Sequence, residues 1–295
     1  NYTGNKFQLL SKLQSLFPTR VQTFYDLCSG GGDVGANMTW ADKVVCVDVQ
    51  SDVISLLKRL KEIPGVEFVK MIDNIIESYG LSNSALYGYA PFLIGEQKGL
   101  AAYNKESFKV LREDYNKLRE EPPSLEKSLL FFALIVFSFN NQIRFNSDGD
   151  FNIAVGKYDL NSRQRSKLEG FSDRLKKIDI SFVNSSYEDV IESREMRPND
   201  FIYIDPPYLI TTATYNQGWG EEEENRLLEF LTRMDKDGVR FALSNVTVHK
   251  GRRNELLIEW AKRFRVRDLY FDYDNSSYQG KNTDEKTVEV LIRNY

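Results

Sequence analysis

Histidine is almost missing from this chain: a single one, His249, occurs in 295 residues. That scarcity argues against a histidine-built metal centre and against a serine–histidine triad. Cysteine is nearly as rare. Cys28 and Cys46 each lie inside an apolar run, and neither a disulfide framework nor a zinc-ligand spacing can be drawn from them. Long apolar runs are lacking too. The longest, LLFFALIVF from Leu129 to Phe137, is too short to span a bilayer and reads as a core helix. No signal-peptide pattern is visible, and a reducing cytoplasm is the expected setting. Nor is there an excess of positive charge. The formal charge is −4, so nothing marks the whole chain as a nucleic-acid binder. A local basic stretch exists nonetheless. Lys250, Arg252, Arg253, Lys262, Arg263, Arg265 and Arg267 face only Glu255 and Glu259. Such a stretch reads either as a phosphate-binding face or as a solvated helix face.

What is present is an average globular composition, 41% hydrophobic and 28% charged, at a length that fits one large α/β domain or two smaller units. TFYDLCSGGGDVGANM reads as a strand running into glycines and then a helix. DKVVCVDV is a second strand ending at Asp48. SDVISLLKRL is a helix with Val53, Leu56, Leu57 and Leu60 on one stripe. Strand, glycine turn, helix, strand and acid open a doubly wound fold. From about residue 63 to residue 159 the pattern turns helical. Strands resume with ISFVNSSY, FIYIDPPY, VRFALSNV and VRDLYFDY, the last forming a hairpin with TVEVLIRNY across NSSYQGKNTDEK. The expectation is a Rossmann-like α/β domain in two parts, residues 1–62 and 160–295, interrupted by a mainly helical insert over residues 63–159.

Two constellations carry chemistry. In DLCSGGGDVG, the glycines at 30, 31 and 32 allow a sharp turn and close approach to a ligand, and Gly30, Gly32 and Gly35 match G-x-G-x-x-G. Asp48, at the end of the next strand, is placed to accept hydrogen bonds from ribose hydroxyls. An adenosine-type ligand follows, with a nicotinamide dinucleotide and S-adenosylmethionine both open on this pattern. The second constellation is Asp205-Pro206-Pro207-Tyr208, after an apolar strand that neither proline can extend. An aromatic amine is a poor nucleophile because its lone pair is delocalised into the ring. The Asp205 carboxylate and the Pro206 carbonyl could accept its two N–H bonds and free that lone pair, while Tyr208 stacks on the flat base. The bland alternative is a strand-ending turn with a core tyrosine.

Together these motifs resemble the Dam-type family of S-adenosylmethionine-dependent DNA adenine methyltransferases. YTGNK, Tyr2 to Lys6, is similar to the family's W-x-G-G-K opening. DLCSGGGDVG resembles E-P-F-x-G-x-G, with Asp26 at the acid and Cys28 at the phenylalanine. FNNQIRFNSDGDFNIAVGKY resembles Y-N-G-L-x-R-x-N-x-x-G-x-F-N-V-P-x-G-x-Y, and VNSSYEDV resembles the segment that contacts the cofactor's adenine. ALSN and VEVLIRNY resemble the closing strands, so the likeness covers nearly the whole chain. It implies a seven-stranded methyltransferase sheet with an inserted target-recognition domain. Cofactor contacts are implied at Tyr2, Lys6, Asp26, Cys28, Gly30 and Gly32, and further at Asp48, Ser186, Tyr187 and Asp205. Asp205, Pro206 and Tyr208 are implied as the catalytic group.

The resemblance further implies a monomeric, bacterial or phage-encoded enzyme acting on double-stranded DNA without metal or membrane, with a restriction–modification, phage or regulatory setting all open. A base inside a duplex must be flipped out to be reached. Asn140, Asn141, Gln142, Arg144 and Asn146 are candidates to read bases or grip phosphate, or else to cap a helix and tie down its loop. Tyr215 and Trp219 are candidates to close over the flipped base, and Ser277 and Lys281 to touch backbone phosphate. A cytosine-amine methyltransferase and a catalytically inactive DNA-binding relative stand as alternatives. A dehydrogenase built on the glycine match leaves FIYIDPPY unexplained.

Overall fold

The computed structural model describes residues 6–92, 99–192, 196–211, 218–269 and 287–295. In chain order its strands are β1 (Val21–Leu27), β2 (Ala41–Asp48), β3 (Ile180–Asn184), β4 (Phe201–Ile204), β5 (Arg240–His249), β6 (Arg252–Arg253), β7 (Arg265–Asp268) and β8 (Thr287–Arg293). Its α-helices are α1 (Leu10–Leu16), α2 (Ser51–Glu62), α3 (Gly65–Ser78), α4 (Ser84–Tyr87), α5 (Leu100–Lys117), α6 (Leu125–Phe137), α7 (Ser162–Lys177), α8 (Tyr187–Glu192), α9 (Glu221–Lys236) and α10 (Glu255–Ala261).

The described residues divide into two compact units, residues 6–49 with 185–295, and residues 50–184. The expected insert, residues 63–159, lies inside the second of these, which also takes in residues 50–62 and 160–184. The reason is packing. Val53, Leu56, Leu57 and Leu60 of α2 are buried, and α2 packs against α6, α7 and β3 of its own unit. A helix joins the unit that covers its apolar stripe, whatever the order of the motifs along the chain.

In the first unit, β2, β1, β4 and β5 run parallel, and β8 pairs antiparallel with both β5 and β7. β4 is buried at every residue, as its unbroken FIYI run requires of a strand covered on both faces. Phe17, Phe24, Phe201 and Tyr203 meet with ring centroids 5.1–5.8 Å apart. Each such buried ring contributes roughly 1.5–3 kcal/mol over its exposed state. This is a mixed α/β, Rossmann-like sheet whose parallel strands end together at one edge. The helix expected after the glycines does not form. Gly35–Asn37 makes only a 3₁₀ turn before β2 begins at Ala41. Residues 28–40 leave little chain for a helix once the glycines have turned, and Gly35 is pulled onto β2.

In the other unit, α6 is apolar on most faces and forms the centre, with Ser124 capping it by accepting from the Lys127 N–H. Tyr115, Phe131, Phe145 and Phe151 cluster around it. Several of its buried polar groups are matched, although Arg59 Nε and Gln164 Oε1 have no hydrogen-bond partner among the described residues. Tyr115 donates to Asp52 Oδ2 at 2.6 Å, and Asp159 accepts from Ser82 Oγ, Ser84 N–H and Ser84 Oγ. Among the described residues no helix is long and apolar enough to cross a membrane.

Candidate active site

The site of the first unit starts where β1 ends. Cys28, Gly30 and Gly32 all have positive φ, at 57°, 50° and 70°, so the chain reverses tightly at the C-terminal edge of the sheet. Asp48, at the end of β2, fixes the turn: its Oδ2 accepts from the Gly30 N–H at 2.7 Å. Asp26 does so from beneath. Its Oδ2 accepts from the Gly35 N–H at 2.8 Å and lies 3.9 Å from the Cys46 Sγ. A Cβ on Gly35 would sit 2.4 Å from that sulfur, so only glycine lets the turn close on β2. Asp26 is 2% exposed and therefore braces the turn from inside. Burial pushes its carboxyl well above the usual range, against the Gly35 N–H that stabilises the ionised form.

This turn differs from a dinucleotide site. There, a pyrophosphate sits at the N-terminus of the helix that follows the glycines, and here no α-helix follows. Burial pushes the Cys28 thiol up, and the fields of Asp48, Asp205, Asp26 and Glu188 push it further. Acids converging on one turn repel a pyrophosphate and suit a ligand that carries hydroxyls and positive charge. Ser29 Oγ, buried in the same turn, has no hydrogen-bond partner among the described residues. An orphaned hydroxyl beside a glycine cradle fits a turn shaped around a ligand.

Asp205 follows directly on β4, and its N–H donates to the Leu27 carbonyl, which ties it to the glycine turn. Lys6 Nζ lies 2.7 Å from Asp205 Oδ2 and 3.4 Å from Glu289 Oε1. The Tyr208 hydroxyl is 2.8 Å from Asp205 Oδ1 and 3.1 Å from Glu289 Oε1, able to donate to either. The Lys6 ammonium also stands 5.2 Å from the Tyr208 ring centroid. Burial raises the Asp205 carboxyl above its ordinary value. Lys6 opposes that shift, Glu289 adds to it, and the Tyr208 hydroxyl opposes it. Pro206 is buried, and no backbone N–H among the described residues donates to its carbonyl. Beneath them the Tyr203 hydroxyl pairs with Ser244 Oγ at 3.0 Å.

Lys6, Asp26, Cys28, Gly30, Gly32, Asp48 and Asp205, read separately from the sequence, are thus brought to one edge. Sequence reasoning missed Glu289. The legible signal was an acid inside the apolar strand TVEVLIRNY, which needs a partner once buried. Ser186 accepts from the Asp189 N–H at 3.0 Å and caps α8, while Tyr187 is buried against Phe230 with its hydroxyl on Glu188. Trp219 donates to Glu224 Oε2 at 2.9 Å, joining a buried carboxylate that also accepts from Asn245 and Asn254. Tyr2, Tyr215, Ser277 and Lys281 lie outside the described residues.

The other unit holds the asparagine-rich loop. Asn140 and Asn141 are both left-handed, with φ of 54° and 55°. Asn140 is exposed, whereas Asn141 donates to the Ile135 and Val136 carbonyls and caps the end of α6. Asn146 accepts from the Asp148 and Asp150 N–H groups. Arg144 is exposed yet holds Asn152 through both its side chain and its carbonyl. Gln142 is half-buried. Bridges between Ser138 and Val155 and between Phe145 and Phe151 fold the segment back on itself.

A parallel sheet that gathers a braced glycine turn, Asp48 and the Asp205–Pro206 pair at one edge defines a Rossmann-like α/β protein with one acidic, glycine-lined site. Sequence comparison agrees. The model of the D12 class N6 adenine-specific DNA methyltransferases matches residues 2–270, and the chain belongs to that family. The Type II methyltransferase M.FokI of Planomicrobium okeanokoites is 37% identical over 303 residues, covering 100% of this chain and 42% of that protein. The modification methylase StsI of Streptococcus sanguinis is 34% identical over 305 residues, with 100% and 42% covered. The DNA adenine methylase of Vibrio cholerae serotype O1 is 22% identical over 251 residues, covering 83% of this chain and 79% of that protein. The chain therefore spans somewhat under half the length of the first two relatives.

Proposed function

We propose that this chain transfers a methyl group from S-adenosylmethionine to the exocyclic amine of adenine in duplex DNA. The observation that carries this reading is Asp205, gripped by Lys6 and Tyr208 beside the Pro206 carbonyl, at the edge where Asp48 holds the glycine turn. When bound, the cofactor supplies an electrophilic methyl group on a sulfonium centre. Asp48 would hold its ribose hydroxyls, and the turn from Cys28 to Gly32 would cradle the rest. Lys6 and Ser186 would lie at its margins.

Asp205 and the Pro206 carbonyl accept the two N–H bonds of the amine and turn its lone pair toward the methyl group. The proton lost on transfer passes to a carboxylate or to solvent. Tyr208, its hydroxyl anchored, offers its ring to the flipped base. In the other unit, exposed Asn140 and Arg144 would meet DNA, with Asn141 and Asn146 keeping the loop in shape. A modification role beside a restriction activity is supported by the names of the relatives. The test is incubation with tritiated S-adenosylmethionine and duplex DNA, followed by nucleoside separation. Label in N6-methyldeoxyadenosine is expected. Label in N4-methyldeoxycytidine, or none in DNA, would overturn the reading.

A further inference from the structure

Glu289 is absent from the chemistry above, yet it lies within it. It sits in β8, is 6% exposed, and belongs to a strand whose neighbours Val290, Leu291 and Ile292 are core. A carboxylate in such a strand needs compensation. It finds Lys6 at 3.4 Å and the Tyr208 hydroxyl at 3.1 Å, the same two groups that hold Asp205. Two buried carboxylates therefore divide one ammonium and one hydroxyl.

We propose that Glu289 is a positioning residue that keeps Lys6 from fully neutralising Asp205 and fixes the Tyr208 ring by its hydroxyl. The consequence follows from charge. If Lys6 belonged to Asp205 alone, the tight pair would weaken Asp205 as an acceptor for an incoming N–H. Divided between two carboxylates, Lys6 tethers Asp205 and leaves it basic. The Tyr208 hydroxyl, bracketed by two acceptors, sets the angle of the ring. Among the described residues, the charged and titratable groups facing this cluster include Lys6 from the N-terminal segment, Asp26 from β1, Cys28 from the turn, Tyr203 from β4 and Tyr208 after it. Of these described groups Lys6 is the cation, so removing Glu289 shifts its pairing toward Asp205.

The inference rests on the proposed methyl transfer for its purpose, and its test reads Asp205 directly. The carboxyl carbon resonance of Asp205, identified as the one that D205N deletes, is titrated in the wild type, E289Q and E289D. E289Q keeps an acceptor for Tyr208 and removes the charge. It should move the Asp205 midpoint to lower pH, and E289D should leave it near that of the wild type. In the transfer assay E289Q should lower kcat by about tenfold, the rate equivalent of one hydrogen bond, with little change in KM for DNA. The acid limb of its pH profile should move with the midpoint. A purely structural Glu289 would lower the melting temperature and leave the midpoint where it is. An unmoved midpoint in an E289Q protein that transfers methyl groups overturns the inference alone. A moved midpoint in a chain whose wild type transfers nothing supports the hold on Asp205 and overturns the functional reading alone.

Discussion

The Lys6 ammonium stands 2.7 Å from Asp205 Oδ2, and the two side chains keep only 8% and 18% exposure. The pair joins the N-terminal segment to the end of β4, and it puts a cation on the acid proposed to meet the substrate. Removing one partner of so buried a pair strands the other, which typically costs about 3–5 kcal/mol. Here Lys6 serves two carboxylates, so its loss removes the compensating charge from both.

K6M should therefore lower the melting temperature substantially and move the acid limb of the activity profile to higher pH. The sign follows from Lys6 lowering the Asp205 carboxyl, which rises further without it. Protonated Asp205 loses its charge and becomes a much weaker acceptor for the amine, so activity falls as pH drops through that raised value. A K6M profile that coincides with the wild-type profile would contradict this.

Asp26 gives a stability prediction of defined sign. Its folded-state carboxyl lies well above the ordinary 3.8, chiefly through burial. The folded protein thus holds this proton more tightly than the unfolded chain. The resulting stability is present below the ordinary value and is lost as pH rises through the raised one. D26N does not titrate. The melting temperature of D26N minus that of the wild type should climb with pH across this window, and a flat difference curve would refute the assignment.

Tyr208 separates into a hydroxyl and a ring. Y208F removes the contacts to Asp205 and Glu289 and should lower kcat by about tenfold, the equivalent of one hydrogen bond to a charged group. Y208A removes the stacking surface as well, worth about 1–3 kcal/mol per base, and should lower kcat/KM for DNA further. Equal losses in the two variants would show that the ring makes no contribution.

Gly35 is set by contact. G35A would drive its methyl group into Cys46 Sγ and against Asp26 Oδ2, an overpacking that typically costs about 1–3 kcal/mol. Because the main clash is with one sulfur, the G35A/C46A double variant should recover much of the melting temperature lost in G35A. Strict additivity of the two changes would rule out this contact as the cause.

The strands that carry the site were legible because their signals are local. An apolar run stopped by prolines marks β4, glycines mark the end of β1, and an acid marks the end of β2. What escaped depends on partners distant in sequence. The helix expected after the glycines gave way to a 3₁₀ turn because Gly35 approaches Cys46 of β2, which no glycine spacing records. The compact units divide at Gln50 and Asn184 because α2 packs with α6 and α7. Asp26, aligned with a cofactor-binding acid, braces the turn from within. Asn141 and Asn146 spend their amides on helix and loop backbone, the capping alternative that the sequence left open beside base reading. Glu289 stayed hidden because an acid in a strand announces the need for a partner without naming it.

The central claim is that Asp205 prepares the amine for transfer. It is tested most directly by single-turnover transfer of tritiated methyl from S-adenosylmethionine to duplex DNA by the wild type and by D205A. Cofactor binding should be checked by calorimetry on both. The account predicts label in N6-methyldeoxyadenosine for the wild type and a loss of about a hundredfold or more in D205A. Wild-type transfer rates in D205A would contradict it.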